Sequence, residues 1–155
     1  MIYLNGTILP AERARIDPFD RGFGLGDGLF ETLRAYDGQP FRLEDHLARM
    51  ARAAEELEIP LPLDMPGVAD AVGELLQANR LQNGDASIRV TLSRGAGARG
   101  YAPPEDPKPT LLIAAAPYAP PPETCSAAVV ETRRNEGSPT SRMKAGTTAS
   151  AVGNS

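Results

Sequence analysis

The sequence predicts an α+β domain in which two helices pack on a mixed or antiparallel sheet. Apolar residues switch between period 2 and period 3.6 at definite places along the chain, which separates strands from helices. Asn5-Gly6 and Asp37-Gly38 each sit between two apolar runs, as the turn of a two-residue hairpin does. With 155 residues, 41% of them hydrophobic, the chain can build one ordinary domain with its own core but no second one of full size.

Residues 2–5 and 7–9 are expected as short strands around Asn5-Gly6, because that dipeptide tolerates the positive φ angles of a type I′ turn. A second hairpin is expected from 29–36, through Asp37-Gly38, into 40–43. Leu43, Leu47, Met50, Ala54 and Leu57 then fall on one helical face, so a helix is expected over 44–58, ending before Pro60. A second helix is expected over 66–79, with Val68, Val72, Leu75 and Leu76 turned inward. Ile88, Val90 and Leu92 alternate as a half-buried strand over 87–93, whereas 110–116 is the continuous apolar run of a central strand. The Gly/Pro-rich stretch 95–109 between them reads as a loop, and a further strand is expected over 127–133.

Charge and composition exclude several functions. Sixteen basic residues against twenty acidic ones give a net charge of −4, with the basic side chains scattered, so nucleic-acid binding is not expected. No stretch approaches the roughly 18 apolar residues of a membrane span, and the N-terminus lacks a signal-peptide pattern, so a soluble cytoplasmic protein is expected. Cys125 has no second cysteine for a disulfide, and His46 is the single histidine, so no metal site is expected.

Two distant segments bear on chemistry. The first runs Asp20-Arg-Gly-Phe-Gly-Leu-Gly-Asp-Gly-Leu-Phe-Glu31. It is not a dinucleotide fingerprint, because Asp27 stands where a G-x-G-x-x-G starting at Gly22 needs glycine. The second is Ser138-Pro-Thr-Ser-Arg-Met-Lys144, a lysine after an expected strand and a polar loop. Between them, His46-Leu47-Ala48-Arg49 places an arginine about 200° around the helix from Leu47, off the apolar stripe. Taken alone, Arg49 reads as a solvated helix arginine paired with Asp45, and Lys144 as a surface charge.

In order and spacing these segments resemble the class IV (fold type IV) pyridoxal-phosphate enzymes, the family of branched-chain and D-amino acid aminotransferases and aminodeoxychorismate lyase. The resemblance implies that Lys144 forms a Schiff base with pyridoxal 5′-phosphate and that Arg49 grips the cofactor phosphate, a task suited to a bidentate, permanently charged guanidinium. It also implies that the glycines let a strand approach the cofactor cleft. Phe30 stands where the D-amino acid enzymes carry a substrate-binding tyrosine; lacking a hydroxyl, it is expected as a pocket wall. Glu31 is expected to be structural. Arg99 and Tyr101 resemble a loop that, in the dimeric relatives, reaches the neighbouring subunit's site, so Arg99 is expected on a substrate carboxylate and Tyr101 as an aromatic wall.

The resemblance spans Ile2 through Lys144. It implies a small N-terminal α/β domain over 1–120 and the start of the large cofactor-binding domain over 121–155, with the remainder absent. The activity it implies is transfer of an amino group between an amino acid and a 2-oxo acid, in a homodimer. The alternatives are aminodeoxychorismate lyase or a catalytically silent truncated domain.

Overall fold

The computed structural model describes residues 1–98 and 100–120. Six strands form one sheet: β1 (Ile2–Leu4), β2 (Thr7–Leu9), β3 (Gly28–Tyr36), β4 (Gln39–Pro40), β5 (Ala86–Ser93) and β6 (Thr110–Pro117). Their order is β2-β1-β6-β5-β3-β4, and every pairing among the described residues is antiparallel. Both predicted hairpins form, with positive φ at Asn5 and Gly6 and at Asp37 and Gly38, as a type I′ turn requires. The second is shorter than expected: β4 stops at Pro40, and Arg42, at φ 53°, turns the chain into the helix behind it.

The α-helices among the described residues are α1 (Arg21–Leu25), α2 (Leu43–Glu56) and α3 (Met65–Ala78), and a single 3-10 turn spans Ala11–Arg13. The expectations for α2 and α3 hold within about two residues, the usual uncertainty of helix ends. Asp64 caps α3 by accepting a hydrogen bond from the Gly67 amide at 2.9 Å. Leu57, expected on the inner face of α2, instead lies just past its end and is 45% exposed, while Ile59 takes the core position at 3%.

Alternation along the strands separates two faces. On β3, Glu31, Leu33 and Ala35 are buried while Phe30, Thr32 and Tyr36 are exposed. Register puts Val90 and Ile113 beside Glu31, and Ile88 and Ala115 beside Leu33, so one face of the sheet is apolar apart from the buried carboxylate of Glu31. That face packs against α2 and α3 through Leu47, Met50, Val72 and Leu75. As expected of a half-buried strand, Ile88, Val90 and Leu92 are buried against the helices while Ser87, Arg89 and Thr91, which alternate with them, are partly or fully exposed. The strand expected over 127–133 lies outside the described residues. No helix among the described residues is long and apolar enough to cross a membrane.

Candidate active site

Arg49 projects from the middle of α2 and meets Glu31, which β3 presents on the helix-covered face. Its Nε donates to Glu31 Oε1 at 2.7 Å and its Nη2 donates to Oε2, a bidentate pair. The pairing with Asp45 expected of an ordinary surface arginine is not made: Asp45 is taken by Arg42 at 2.6 Å. Glu31 is 7% exposed at its side chain and Arg49 is 63% exposed, so a buried carboxylate anchors an arginine that reaches into solvent. Among the described residues Nη1 has no hydrogen-bond partner, and the outward edge of the guanidinium is available to an anion.

His46 completes the cluster, with Nδ1 2.7 Å from Glu31 Oε2. An ionised carboxylate only accepts, so Nδ1 carries the hydrogen, and the 3.2 Å approach of Arg49 Nη2 to the same nitrogen is proximity rather than a bond. The Arg49 bonds hold the Glu31 carboxyl below the ordinary range against the opposing effect of burial, with His46 contributing; Glu31 in turn raises Arg49. This donor set fits a phosphate group. The arginine is fixed along one edge, stays charged, and keeps donors free on the other.

Phe30 precedes Glu31 and therefore faces the opposite side of the sheet. There it lines a cavity of about 390 Å³ with Leu29, Phe23, Thr91 and Leu112, and the Arg89 guanidinium stacks 3.7 Å from its ring centre. Arg49 does not line this cavity. Asp20 stands at its edge, 3% exposed, bonded to the Gly22 amide, the Ser93 hydroxyl and the Thr110 hydroxyl at 2.7–2.9 Å.

The glycine segment serves a close approach between elements: residues 21–25 form the helical turn α1, and the glycines admit β5, since a Cβ on Gly22 would lie 2.5 Å from the Ser93 Cβ, and one on Gly28 2.6 Å from the Leu92 carbonyl oxygen. Sequence reasoning also missed Arg21, Asp27 and Arg94. Asp27 Oδ2 accepts from Arg21 Nε at 2.7 Å and Arg94 Nε at 2.9 Å; burial opposes its ionisation, but the two arginines outweigh burial and hold the carboxyl below its usual range. A signal was present, in that two arginines sit in otherwise glycine-rich segments, yet nothing local says that they share one aspartate.

Tyr101 follows β5 on a loop and is 88% exposed. Arg99 and Lys144 lie outside the described residues. The sequence holds one other lysine, Lys108, which is 78% exposed at its side chain and paired with Asp106 at 2.7 Å. No group of three or more metal-ligating side chains occurs among the described residues.

Comparison with known proteins agrees with this architecture. The family model for amino-transferase class IV matches residues 28–152. A Methanocaldococcus jannaschii protein provisionally named a branched-chain-amino-acid aminotransferase is 41% identical over 119 residues, covering 77% of this chain and 41% of that protein. The aminodeoxychorismate lyase of Bacillus subtilis is 37% identical over 112 residues, covering 72% of this chain and 38% of the lyase. The solved 4-amino-4-deoxychorismate lyase of Pseudomonas aeruginosa superposes with a TM-score of 0.63 at 34% identity, covering 79% of this chain and 42% of that one. This chain belongs to the class IV aminotransferase family, whose enzymes depend on pyridoxal phosphate. Its solved neighbours include the pyridoxal-phosphate-bound form of a hypothetical aminotransferase from Mycobacterium tuberculosis, with a TM-score of 0.64 at 27% identity, covering 76% of this chain and 39% of that one. The chain spans about two fifths of the length of these relatives.

Proposed function

We propose that this chain carries the small domain and lysine segment of a pyridoxal-phosphate enzyme that moves an amino group between an amino acid of branched-chain or D type and a 2-oxo acid. The observation that carries this reading is the Arg49–Glu31 pair, a buried carboxylate holding an exposed arginine with its outer edge free. Arg49 grips the cofactor phosphate. Lys144 would hold the cofactor covalently and, once released, would take a proton from the Cα of the amino donor and later deliver one to the Cα of the amino acid formed from the 2-oxo acid; Lys108 is exposed and paired with Asp106. The cofactor, when bound, supplies the electron sink for bond breaking at Cα. Phe30 forms an apolar wall, Arg99 neutralises the substrate carboxylate and Tyr101 lies alongside it, in a cytoplasmic homodimer.

Titration of the holoprotein's apo form with pyridoxal phosphate tests the reading. Charge-assisted bonds to phosphate contribute about 1.5–3 kcal/mol, so Arg49→Ala should weaken binding about ten- to a hundredfold. Arg52→Ala, exposed on the same helix, should leave it nearly unchanged. Borohydride reduction followed by peptide mapping should place the cofactor on Lys144. Unaltered affinity in Arg49→Ala, or cofactor fixed to Lys108, would refute the assignment.

A second reading, aminodeoxychorismate lyase, is favoured by the lyases among the similar proteins; the Arg99-Gly100-Tyr101 form of the loop resembles both lyases and some branched-chain enzymes. Release of pyruvate and 4-aminobenzoate from 4-amino-4-deoxychorismate, without an acceptor oxo acid, separates it from amino transfer. A cofactor-free protein with neither activity would indicate a silent domain.

A further inference from the structure

We propose that Arg21 is a positioning residue for the substrate loop, setting affinity for the substrate without touching the cofactor. The inference rests on the reading above that Tyr101 lies against substrate. Arg21 opens α1 with its side chain 6% exposed, and its donors converge on three consecutive carbonyls of the loop after β5. Nη1 donates to Gly100 at 3.3 Å and Ala102 at 3.1 Å, and Nη2 donates to Tyr101 at 2.9 Å, while Nε is fixed by Asp27 at 2.7 Å. Residues 100–102 lie in no helix or strand, and Tyr101 is 88% exposed, so among the described residues packing of its side chain does not place it. Among the described residues, the backbone beneath the ring is hydrogen-bonded by this one guanidinium.

That guanidinium is itself held. Asp27 also binds Arg94, whose Nη1 and Nη2 donate to the carbonyls of Glu58 and Leu57 at 2.9 and 2.7 Å, immediately beyond the helix that bears Arg49. Asp27 thus ties the Tyr101 loop to the end of α2. Gly97 lies against the Arg21 stem; a Cβ there would come within 2.9 Å of Arg21 Cδ. A lysine at position 21 could not reproduce this arrangement, because one tetrahedral ammonium cannot serve a carboxylate and three carbonyls spread along a planar fork.

The test is steady-state kinetics on the holoprotein carrying Arg21→Lys and, separately, Gly97→Ala, which keeps the arginine but displaces its stem. Both should raise KM for the amino-group donor about tenfold, a change equivalent to about 1.4 kcal/mol, with kcat changed less than about twofold and pyridoxal-phosphate affinity unaltered. Thermal midpoints establish that each variant is folded; if Arg21→Lys does not fold, Gly97→Ala decides. Unchanged KM in the folded variants, or a parallel loss of kcat and cofactor affinity, overturns the proposal. Tyr101→Ala separates the layers: if it raises KM while Arg21→Lys and Gly97→Ala do not, the positioning role alone fails. If the parent shows no turnover, or Tyr101→Ala leaves KM unchanged, the functional reading fails and the positioning role with it.

Discussion

At the scale of single residues, Glu31 does more than its buried position on a strand implies. It accepts two bonds from Arg49 and one from His46, and its ionisation is what makes Arg49 a fixed donor. Because its carboxyl is held below the ordinary value of about 4.3, the stabilisation it provides is fully present above that value and lost as pH falls through the lower, folded-state one. Glu31→Gln should therefore lower stability at pH 7 by about 1 kcal/mol, a modest figure because Arg49 is solvent-screened. In urea denaturation the gap between variant and parent should close in acid, below pH about 4. A gap independent of pH would mean that the charge on Glu31 is not what holds the pair. The resemblance of His46-Leu47-Ala48-Arg49 to the family motif pointed to Arg49 in advance, whereas its partner lies 18 positions away on another element and had no local signature.

At the scale of elements, the glycine segment is the instructive case. The resemblance implied that its glycines let a strand approach the cofactor cleft; the structure adds that Asp20 caps a helical turn there, and that the cap is held by hydroxyls from β5 and β6, far off in sequence. Gly28 shows why bulk is excluded: alanine there would press on the Leu92 carbonyl and the Ser93 backbone across the sheet. Gly28→Ala should cost about 1–3 kcal/mol, read as a shift of the urea midpoint. Gly73, by contrast, lies exposed in α3 with nothing near its missing Cβ, so Gly73→Ala should stabilise by about 0.5–1 kcal/mol. Equal effects at both positions would remove close approach to β5 as the reason for the glycine at 28.

At the scale of the whole molecule, α2 and α3 cover one face of a six-stranded antiparallel sheet, and Leu75, fully buried, sits in the core they share with Ile88 and Ile113. Leu75→Ala should destabilise by about 2–5 kcal/mol, measured by denaturant unfolding, through lost burial and the cavity left behind. A cost below about 1 kcal/mol would mean that the core collapses around the gap. The other face carries Phe30, Arg89 and the 390 Å³ cavity, so consecutive residues of β3 serve different surfaces: Phe30 the cavity and Glu31 the arginine anchor.

The sequence by itself determined the α+β class, both type I′ hairpins, the two long helices and the central strands. Each of these is written in local chemistry, as Asn-Gly and Asp-Gly turns, a 3.6-residue apolar stripe, or an unbroken apolar run. Arg49 stood out only through the family resemblance, since taken alone it read as a solvated helix arginine. Only the tertiary structure decided what Arg49 binds, that residues 21–25 are helical, that the glycines make room for β5, and that one aspartate joins Arg21 to Arg94. Those features depend on contacts between residues up to 90 positions apart, such as Thr110 to Asp20, and a buried ion or hydroxyl is specified by the groups that fold around it rather than by its neighbours in the chain.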